Sequence, residues 1–355
     1  MLATNRFPAA VTKTAAMRKS LLERKDFMQL ADSKTVQDVY EYLNKNTQYA
    51  KVLSKLQGRK IHRGDMEVAL QKYRVQQSVK THTFLNYEYG NLLKAYLKEF
   101  EILDIITLID GTKNNLDPLL IENYIVSDPS FATLDFHALA QETSIESLMK
   151  RLEGTDYHIL IEPYINEPSE KFGFYLDMSL ERYFYDQLMK QAVAVEKEHH
   201  DEIISLLRKK VDLLNLSFLY RGLKYYDISK EELVNFALNH GYRYRYEDLR
   251  QLAYNRKPED FPDLFQNTEY AFLFKKEEES DLYMERRILR FLYYQNLRLS
   301  RTGSDFTKIL GYLFMVEYEV EDITTIIEAK RYHLDKDKIG RYLIRSLEGD
   351  ENFGG

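Results

Sequence analysis

The chain has no cysteine and no tryptophan, and only 7 of its 355 residues are proline and 14 are glycine. Without cysteine there is no disulfide, no thiolate nucleophile and no thiolate metal ligand. Because proline and glycine interrupt helices, their scarcity favours an all-helical fold. The longest apolar runs, such as Leu310–Val316, are far shorter than the roughly 20 residues that span a bilayer. We therefore expect a soluble all-α chain with no membrane span.

A net basic charge and catalytic motifs are also lacking. The net charge is −6, which argues against nucleic acid as the main partner, because phosphate binding needs a basic surface. The sequence has no Gly-x-x-x-x-Gly-Lys-Ser/Thr, no Gly-x-Gly-x-x-Gly, no Gly-x-Ser-x-Gly and no His-Glu-x-x-His. These absences predict a protein that is not an enzyme and has no cofactor, metal or catalytic residue.

One sequence pattern occurs three times, at a period of about 110 residues. An Asp followed by an aromatic or Leu, then Leu-Ala, precedes a Thr-x-Tyr. The three copies run from Asp26 to Tyr49, from Asp135 to Tyr157 and from Asp248 to Tyr270. The leading Asp is expected in the first turn of a helix, where it faces the positive end of the dipole. Repeated units of this kind are typical of proteins that present a surface or enclose a space.

A second element repeats in the same phase. The segments 96–117 and 314–335 share eight identical residues, among them Glu99/Glu317, Glu101/Glu319, Asp104/Asp322 and Ile105/Ile323. A weaker copy at 211–226 has Asn215 in place of the Asp. The pattern predicts three helical repeats at 1–117, 118–226 and 227–335, with a C-terminal helix and tail at 336–355. We expect Ile105 and Ile323 to be equivalent buried positions, and Thr112 and Lys330 to tolerate substitution.

The recurring acids Glu99, Glu101 and Asp104, with Glu317, Glu319 and Asp322, are the strongest candidates for chemistry. They could bind a cation or act as an acid–base pair. The interpretation that we favour is a solvated helix face with salt bridges, because the middle copy offers Lys210, Asp212 and Asn215 and so loses the charge pattern.

Two other segments contain residue types that could bind a ligand. His199-His200-Asp201-Glu202 contains metal-ligating residue types, but adjacent residues on a helix point about 100° apart, so an exposed charged helix is favoured. Tyr242–Tyr246 alternates Tyr and Arg and is expected to pack rings against guanidinium planes, or otherwise to bind a protein helix rather than RNA. Thr143 with Glu146, and Thr35 with Asp38, are predicted to cap helices.

The chain resembles the C subunit of the archaeal and bacterial A/V-type ATPases, whose eukaryotic counterpart is the d subunit. The residues that carry the resemblance are Ala15–Leu22, Asp26-Phe27, Leu180–Phe184, Lys210–Asn215, Glu285-Arg286, Gly311–Leu313 and Glu317–Ile323. At Thr324 the chain departs from the family, which often has Arg after the Ile.

The resemblance implies three similar helical units arranged as a funnel with pseudo-threefold symmetry. It also implies a non-catalytic rotor subunit of the central stalk, a socket between the rotating shaft and the membrane proteolipid ring, with those two as partners. Such a protein would be cytoplasmic and attached to the membrane through the complex. The alternatives are a free-standing helical-repeat scaffold that binds a partner helix, and an enzyme that uses the carboxylates of Glu99/Glu101 and Glu317/Glu319. The residues that would contact a partner are not predicted.

Overall fold

The computed structural model describes residues 7–58, 60–226, 228–274 and 284–347. Across these ranges the chain forms helices and no β-strand, which confirms the predicted all-α class. The α-helices are α1 (Pro8–Arg18), α2 (Arg24–Asp32), α3 (Val36–Asn46), α4 (Ala50–Leu53), α5 (Arg63–His82), α6 (Tyr87–Lys113), α7 (Pro118–Tyr124), α8 (Phe136–Leu139), α9 (Ile145–Leu152), α10 (Asp156–Ile161), α11 (Ser169–Ala194), α12 (Lys197–Tyr225), α13 (Lys230–Asn235), α14 (Tyr246–Asn255), α15 (Phe261–Phe265), α16 (Met284–Thr302), α17 (Asp305–Arg331) and α18 (Lys336–Tyr342).

The chain divides into two compact units. The inserted unit is Val75–Val195, and the discontinuous unit combines Met1–Arg74 with Glu196–Gly355. The three repeats at 1–117, 118–226 and 227–335 describe internal similarity rather than compactness, and they stay a prediction.

The inserted unit is built around two long helices, α6 and α11, which pack along each other. The helix α6 has buried residues on all sides, including Leu93, Phe100, Ile105 and Ile109. A helix that is apolar around most of its circumference belongs inside a core. The short helix α7 folds back on the end of α6, and there the backbone comes so close that a side chain at Gly111 would meet Ile121.

The discontinuous unit has the hairpin of α16 and α17 at its centre, with α12 packed against both helices. The hairpin turns at Gly303 and Ser304, and the Ser304 hydroxyl accepts from the Thr307 amide to cap α17. The Glu202 carboxylate of α12 accepts from the Ser304 amide at 3.0 Å and from the Thr307 hydroxyl at 2.7 Å. A carboxylate at this place also faces the positive end of the α17 dipole, which fixes α12 against the hairpin.

The helix ends follow most of the sequence predictions. Thr35 and Asp38 form the predicted capping box of α3. Asp26 and Asp248 lie in the first turns of α2 and α14, as predicted. The third equivalent, Asp135, is instead the N-cap of α8, where its carboxylate accepts from the Ala138 amide.

The cap predicted at Thr143 lies one residue later. Ser144 is the N-cap of α9 and pairs with Ser147, so Thr143 and Glu146 do not form the predicted box. Ser144 competes for the cap because its hydroxyl is as good an acceptor as that of Thr.

Burial confirms one sequence prediction and contradicts another. Ile105 and Ile323 both have no exposed surface. Thr112 and Lys330, which are expected from the sequence to tolerate substitution, are only 5% and 7% exposed. The Lys330 ammonium donates to the Ala31 carbonyl oxygen, and its burial lowers the pKa of the ammonium. The amphipathic pattern did not reveal this, because α17 is covered on nearly every side.

Candidate functional site: three buried carboxylate clusters

The acids that recur in the sequence lie inside the protein and hold loops. On α6, Glu101 is 3% exposed and accepts hydrogen bonds from the Tyr157 hydroxyl at 2.9 Å and from the Thr133 hydroxyl at 2.6 Å. One turn later, Asp104 is fully buried and accepts from the amides of Val126 at 2.8 Å and Ser127 at 2.9 Å. We call this pair of acids and their donors the first carboxylate cluster.

The second carboxylate cluster lies on α12 and is centred on Asp212 and Asn215. Asp212 is fully buried and accepts from the Tyr270 hydroxyl at 2.9 Å and from the Arg243 amide at 2.8 Å. Asn215 exchanges two hydrogen bonds with the backbone of Leu238: its oxygen accepts from the amide at 2.7 Å and its nitrogen donates to the carbonyl at 2.9 Å.

The third carboxylate cluster lies on α17 and joins the two ends of the described chain. Glu319 is 1% exposed and accepts from the Tyr49 hydroxyl at 2.9 Å and from the Leu22 amide at 2.7 Å. Asp322 is fully buried and accepts from the Ile344 amide at 2.6 Å. The guanidinium of Arg345 lies 3.5 Å from Glu319 and 3.7 Å from Asp322, and donates to the Leu22 carbonyl at 3.2 Å.

The same contacts therefore occur at all three copies of the sequence pattern. The Tyr of each Thr-x-Tyr donates to the first acid of a cluster: Tyr49 to Glu319, Tyr157 to Glu101 and Tyr270 to Asp212. The second residue of each cluster accepts from the amide of an apolar residue that follows the long helix: Val126, Leu238 and Ile344. The two sequence elements, which are separate in the chain, are thus the two halves of one interaction.

These positions correct the expected solvated helix face. Glu101, Asp104, Glu317, Glu319 and Asp322 are all less than 9% exposed. The middle copy does not lose the pattern either, because Asp212 and Asn215 make the equivalent hydrogen bonds. Glu99 is only partly buried, and Glu317 pairs with Arg74 at 3.6 Å and with Lys210 at 3.3 Å.

Burial sets the electrostatics of the clusters. It raises the pKa of Glu319, of Asp322 and of Asp212 above their ordinary values. The Arg345 guanidinium opposes the shift in the pKa of Glu319 and of Asp322, and backbone amides oppose it at Asp212. Burial next to a carboxylate also raises the pKa of the Tyr157 and Tyr270 hydroxyls, so both remain hydrogen-bond donors.

The hydrogen bonds of the three clusters suit a structural role rather than a catalytic one. A carboxylate that already accepts two or three hydrogen bonds has few lone pairs left for a substrate or a metal ion. Each cluster instead ties a loop and a distant tyrosine to one long helix, which limits the ways in which these segments can move. In the described ranges, no three His, Asp or Glu residues are grouped in a way that could hold a metal ion.

The other two candidate segments from the sequence are 199–202 and 242–246. Asp201 is exposed and Glu202 is used to cap α17, while the side chains of His199 and His200 lie outside the described residues. In the Tyr-Arg segment, residues 242–245 form a loop that leads into α14, and Tyr246 is the first residue of that helix. Asp212 accepts from the amides of Arg243 and Tyr244 in this loop. The Lys209 ammonium, rather than an arginine, lies over the Tyr242 ring at 5.2 Å from the centroid.

Sequence reasoning missed the loop donors of the clusters. Val126, Leu238 and Ile344 contribute backbone amides, so their side chains carry no polar signal. Gly241 does carry a signal: a Cβ there would lie 2.2 Å from the Tyr244 carbonyl oxygen and 2.5 Å from an Asp212 oxygen. Only glycine lets the loop approach the carboxylate so closely.

Long buried helices that hold loops through three carboxylate clusters define a protein of the all-α class. Residues 10–342 match the ATP synthase (C/AC39) subunit family, and the chain belongs to that family. It is similar to the C subunit of the A-type ATP synthase from Methanosarcina barkeri, with 22% identity over 347 residues that cover 96% of this chain and 93% of the relative. It is also similar to the C subunit of the A-type ATP synthase from Archaeoglobus fulgidus, with 25% identity over 255 residues and 68% of each chain covered. No helix in the described ranges is both long enough and apolar enough to cross a membrane.

Proposed function

We propose that this chain is a non-catalytic rotor subunit of an A/V-type rotary ATPase, a socket that couples the rotating shaft to the membrane proteolipid ring. The observation that carries the proposal is the family match over residues 10–342, nearly the whole chain. The subunit would be peripheral to the membrane on the cytoplasmic side, and it would turn with the ring while hydrolysing nothing itself.

A coupling element must be stiff, and the carboxylate clusters supply stiffness. Each cluster links segments far apart in sequence, as when Tyr49 and Ile344 are both held by α17. Charge-assisted hydrogen bonds are about twice as strong as neutral ones, so a loop held this way resists displacement under load. Each of the three copies of the sequence pattern supplies one such clamp.

A coupling element also needs partner surfaces. The segment 116–124 of the inserted unit exposes apolar side chains, with Leu119 at 67%, Leu116 at 46% and Leu120 at 43% exposure. Exposed apolar groups close together mark interaction sites in many proteins. We propose that this segment contacts another protein of the complex.

Covalent cross-linking tests the rotor assignment. Because the chain has no cysteine, Leu119→Cys would carry its single thiol, and a photoreactive maleimide there would capture the neighbouring protein in detergent-extracted complex. The expected product is a link to the shaft or the ring, with ATP hydrolysis by the complex retained, since parts that turn together can be joined without stopping rotation. Tyr332→Cys, 62% exposed, is the control for labelling elsewhere. A link to a stationary part of the machine, or purification of the chain without the rest of the ATPase, would contradict the proposal.

A further inference from the structure

A groove beside the second carboxylate cluster contains an arginine where the other two copies have an apolar residue. It has a volume of about 360 Å³ and lies between α12 and the loop that leads into α14. Its floor consists of the buried residues Ala237, Leu238 and Leu249. Two arginines, Arg208 and Arg245, line it, and none of its lining residues is acidic. In a chain of net charge −6, such a groove is locally basic.

Arg208 is the unusual member of the groove. It is partly buried, and its Nε is shielded from solvent without a hydrogen-bond partner among the described residues. Arg245 is exposed and forms no ion pair within the same described ranges. A donor nitrogen that is shielded from water without a partner costs free energy, so the Nε of Arg208 calls for an explanation outside the described residues.

The other two copies show that the fold does not need a cation there. Arg208 precedes the cluster acid Asp212 by one helical turn. The residues one turn before Glu101 and Glu319 are Leu97 and Met315, which are 6% and 5% exposed. Where two copies place an apolar side chain in the core, the middle copy places a charge. Local departures from a repeated pattern are expected at functional positions.

We propose that this groove binds a carboxylate side chain that another protein of the same complex presents next to an apolar residue. The proposal rests on the function proposed above and names the chemistry of one contact. The two guanidiniums would pair with the carboxylate, and the apolar floor would cover the neighbouring side chain. Tyr246, which lines the same groove and is 56% exposed, adds the type of aromatic anchor that protein interfaces favour. A groove of this size admits one or two side chains rather than a folded domain.

Reassembly tests the proposal. Wild type and variants are added to an ATPase complex from which this protein has been removed, and the affinity of rebinding is measured. Arg208→Glu should rebind at least about tenfold more weakly, because it sets a like charge against the incoming carboxylate. Arg208→Met should also rebind more weakly, but its melting temperature should not fall, since Met315 fills the equivalent place. Arg250→Glu, an exposed arginine outside the groove, is the matched control and should rebind as the wild type does.

Three results would overturn the inference. The first is unchanged rebinding of Arg208→Glu while the wild type assembles normally, which leaves the proposed function intact. The second is capture of lipid, or of a peptide without Asp or Glu, by a photoreactive probe on Tyr246→Cys. The third is thermal stabilisation by inorganic phosphate that Arg208→Met abolishes without any loss of rebinding, which would make the groove a site for small anions. Failure of the wild type itself to rebind would instead count against the proposed function.

Discussion

The Tyr49 hydroxyl donates to Glu319 at 2.9 Å, so a residue near the start of the chain is held by a helix near its end. Tyr49 is 1% exposed, and its ring lies 4.4 Å from that of Tyr73 between centroids. The Leu22 amide donates to the same carboxylate, and Ile344 binds one turn further along α17. The third carboxylate cluster therefore fastens both terminal segments of the described chain to one helix.

Removing the tyrosine hydroxyls should weaken all three clusters. Tyr49→Phe, Tyr157→Phe and Tyr270→Phe each leave a buried carboxylate with one donor fewer, and each should lower the free energy of unfolding by about 1–3 kcal/mol. Tyr332→Phe, at a residue that is 62% exposed, is the control and should change it by less than about 0.5 kcal/mol. Urea unfolding measures the difference, and three unaffected variants would contradict the structural role of the clusters.

Asn215 should not tolerate replacement by Asp. In Asn215→Asp, a carboxylate oxygen would replace the nitrogen that donates to the Leu238 carbonyl at 2.9 Å. Two acceptors would then face each other, and the variant should lose about 1–3 kcal/mol at pH 7. Lowering the pH should restore part of the lost free energy of unfolding, because the protonated Asp side chain regains a donor. A loss that is equal at pH 4 and pH 7 would show that repulsion between acceptors is not the cause.

Glu319 gives a defined pH dependence. Burial raises its pKa above the ordinary value of 4.5, so the folded state binds the proton more tightly than the unfolded state does. This contribution to stability is complete below pH 4.5 and is lost as the pH rises through the higher pKa of the folded state. Relative to Glu319→Gln, the wild type should therefore lose stability as the pH rises above 4.5. Chemical denaturation at a series of pH values measures the difference in stability. If the wild type gained stability over the variant with rising pH, the pKa of Glu319 would be lowered rather than raised by folding. Glu247→Gln, at an exposed position, is the control for the substitution itself.

Arg345 should be the most sensitive of the charged residues around the third cluster. Arg345→Met leaves Glu319 and Asp322 buried without their cation, and the loss should be about 3–5 kcal/mol. Combining it with Glu319→Gln should cost less than the sum of the two changes, since part of the unpaired charge is then absent. Arg301→Met, at an exposed position, is the control. Additive losses would mean that Arg345 stabilises the fold without regard to Glu319.

Ile105 and Ile323 test the equivalence of the repeats in the core. Both have no exposed surface, so Ile105→Ala and Ile323→Ala should each lower the free energy of unfolding by about 2–5 kcal/mol. Ile159→Ala, at a residue that is 68% exposed, should stay within about 0.5 kcal/mol. Thermal or urea unfolding distinguishes these outcomes, and no loss in either core variant would contradict the alignment of the two segments.

The sequence was sufficient to predict the helical class, because scarce helix breakers and apolar periodicity act locally. It also indicated the family and both recurring elements, including the alignment of Ile105 with Ile323. The prediction that Glu101 and Glu319 lie on a solvated face was wrong, because the usual place of a carboxylate is the surface and a single helix does not show its donors. Lys330 was misjudged for the same reason, since its acceptor is the carbonyl of Ala31, far away in the chain.

The sequence by itself determined that three copies of a helical pattern exist and that each contains a tyrosine and an acid. Only the tertiary structure decided that Tyr49 meets Glu319, Tyr157 meets Glu101 and Tyr270 meets Asp212. The physical reason is that propensity and periodicity report on neighbours in the chain, whereas a hydrogen bond in the core depends on segments that only folding brings together. For the same reason the sequence did not predict the environment of Arg208. Its Nε is recognised as unsatisfied only when the described residues around it are in place.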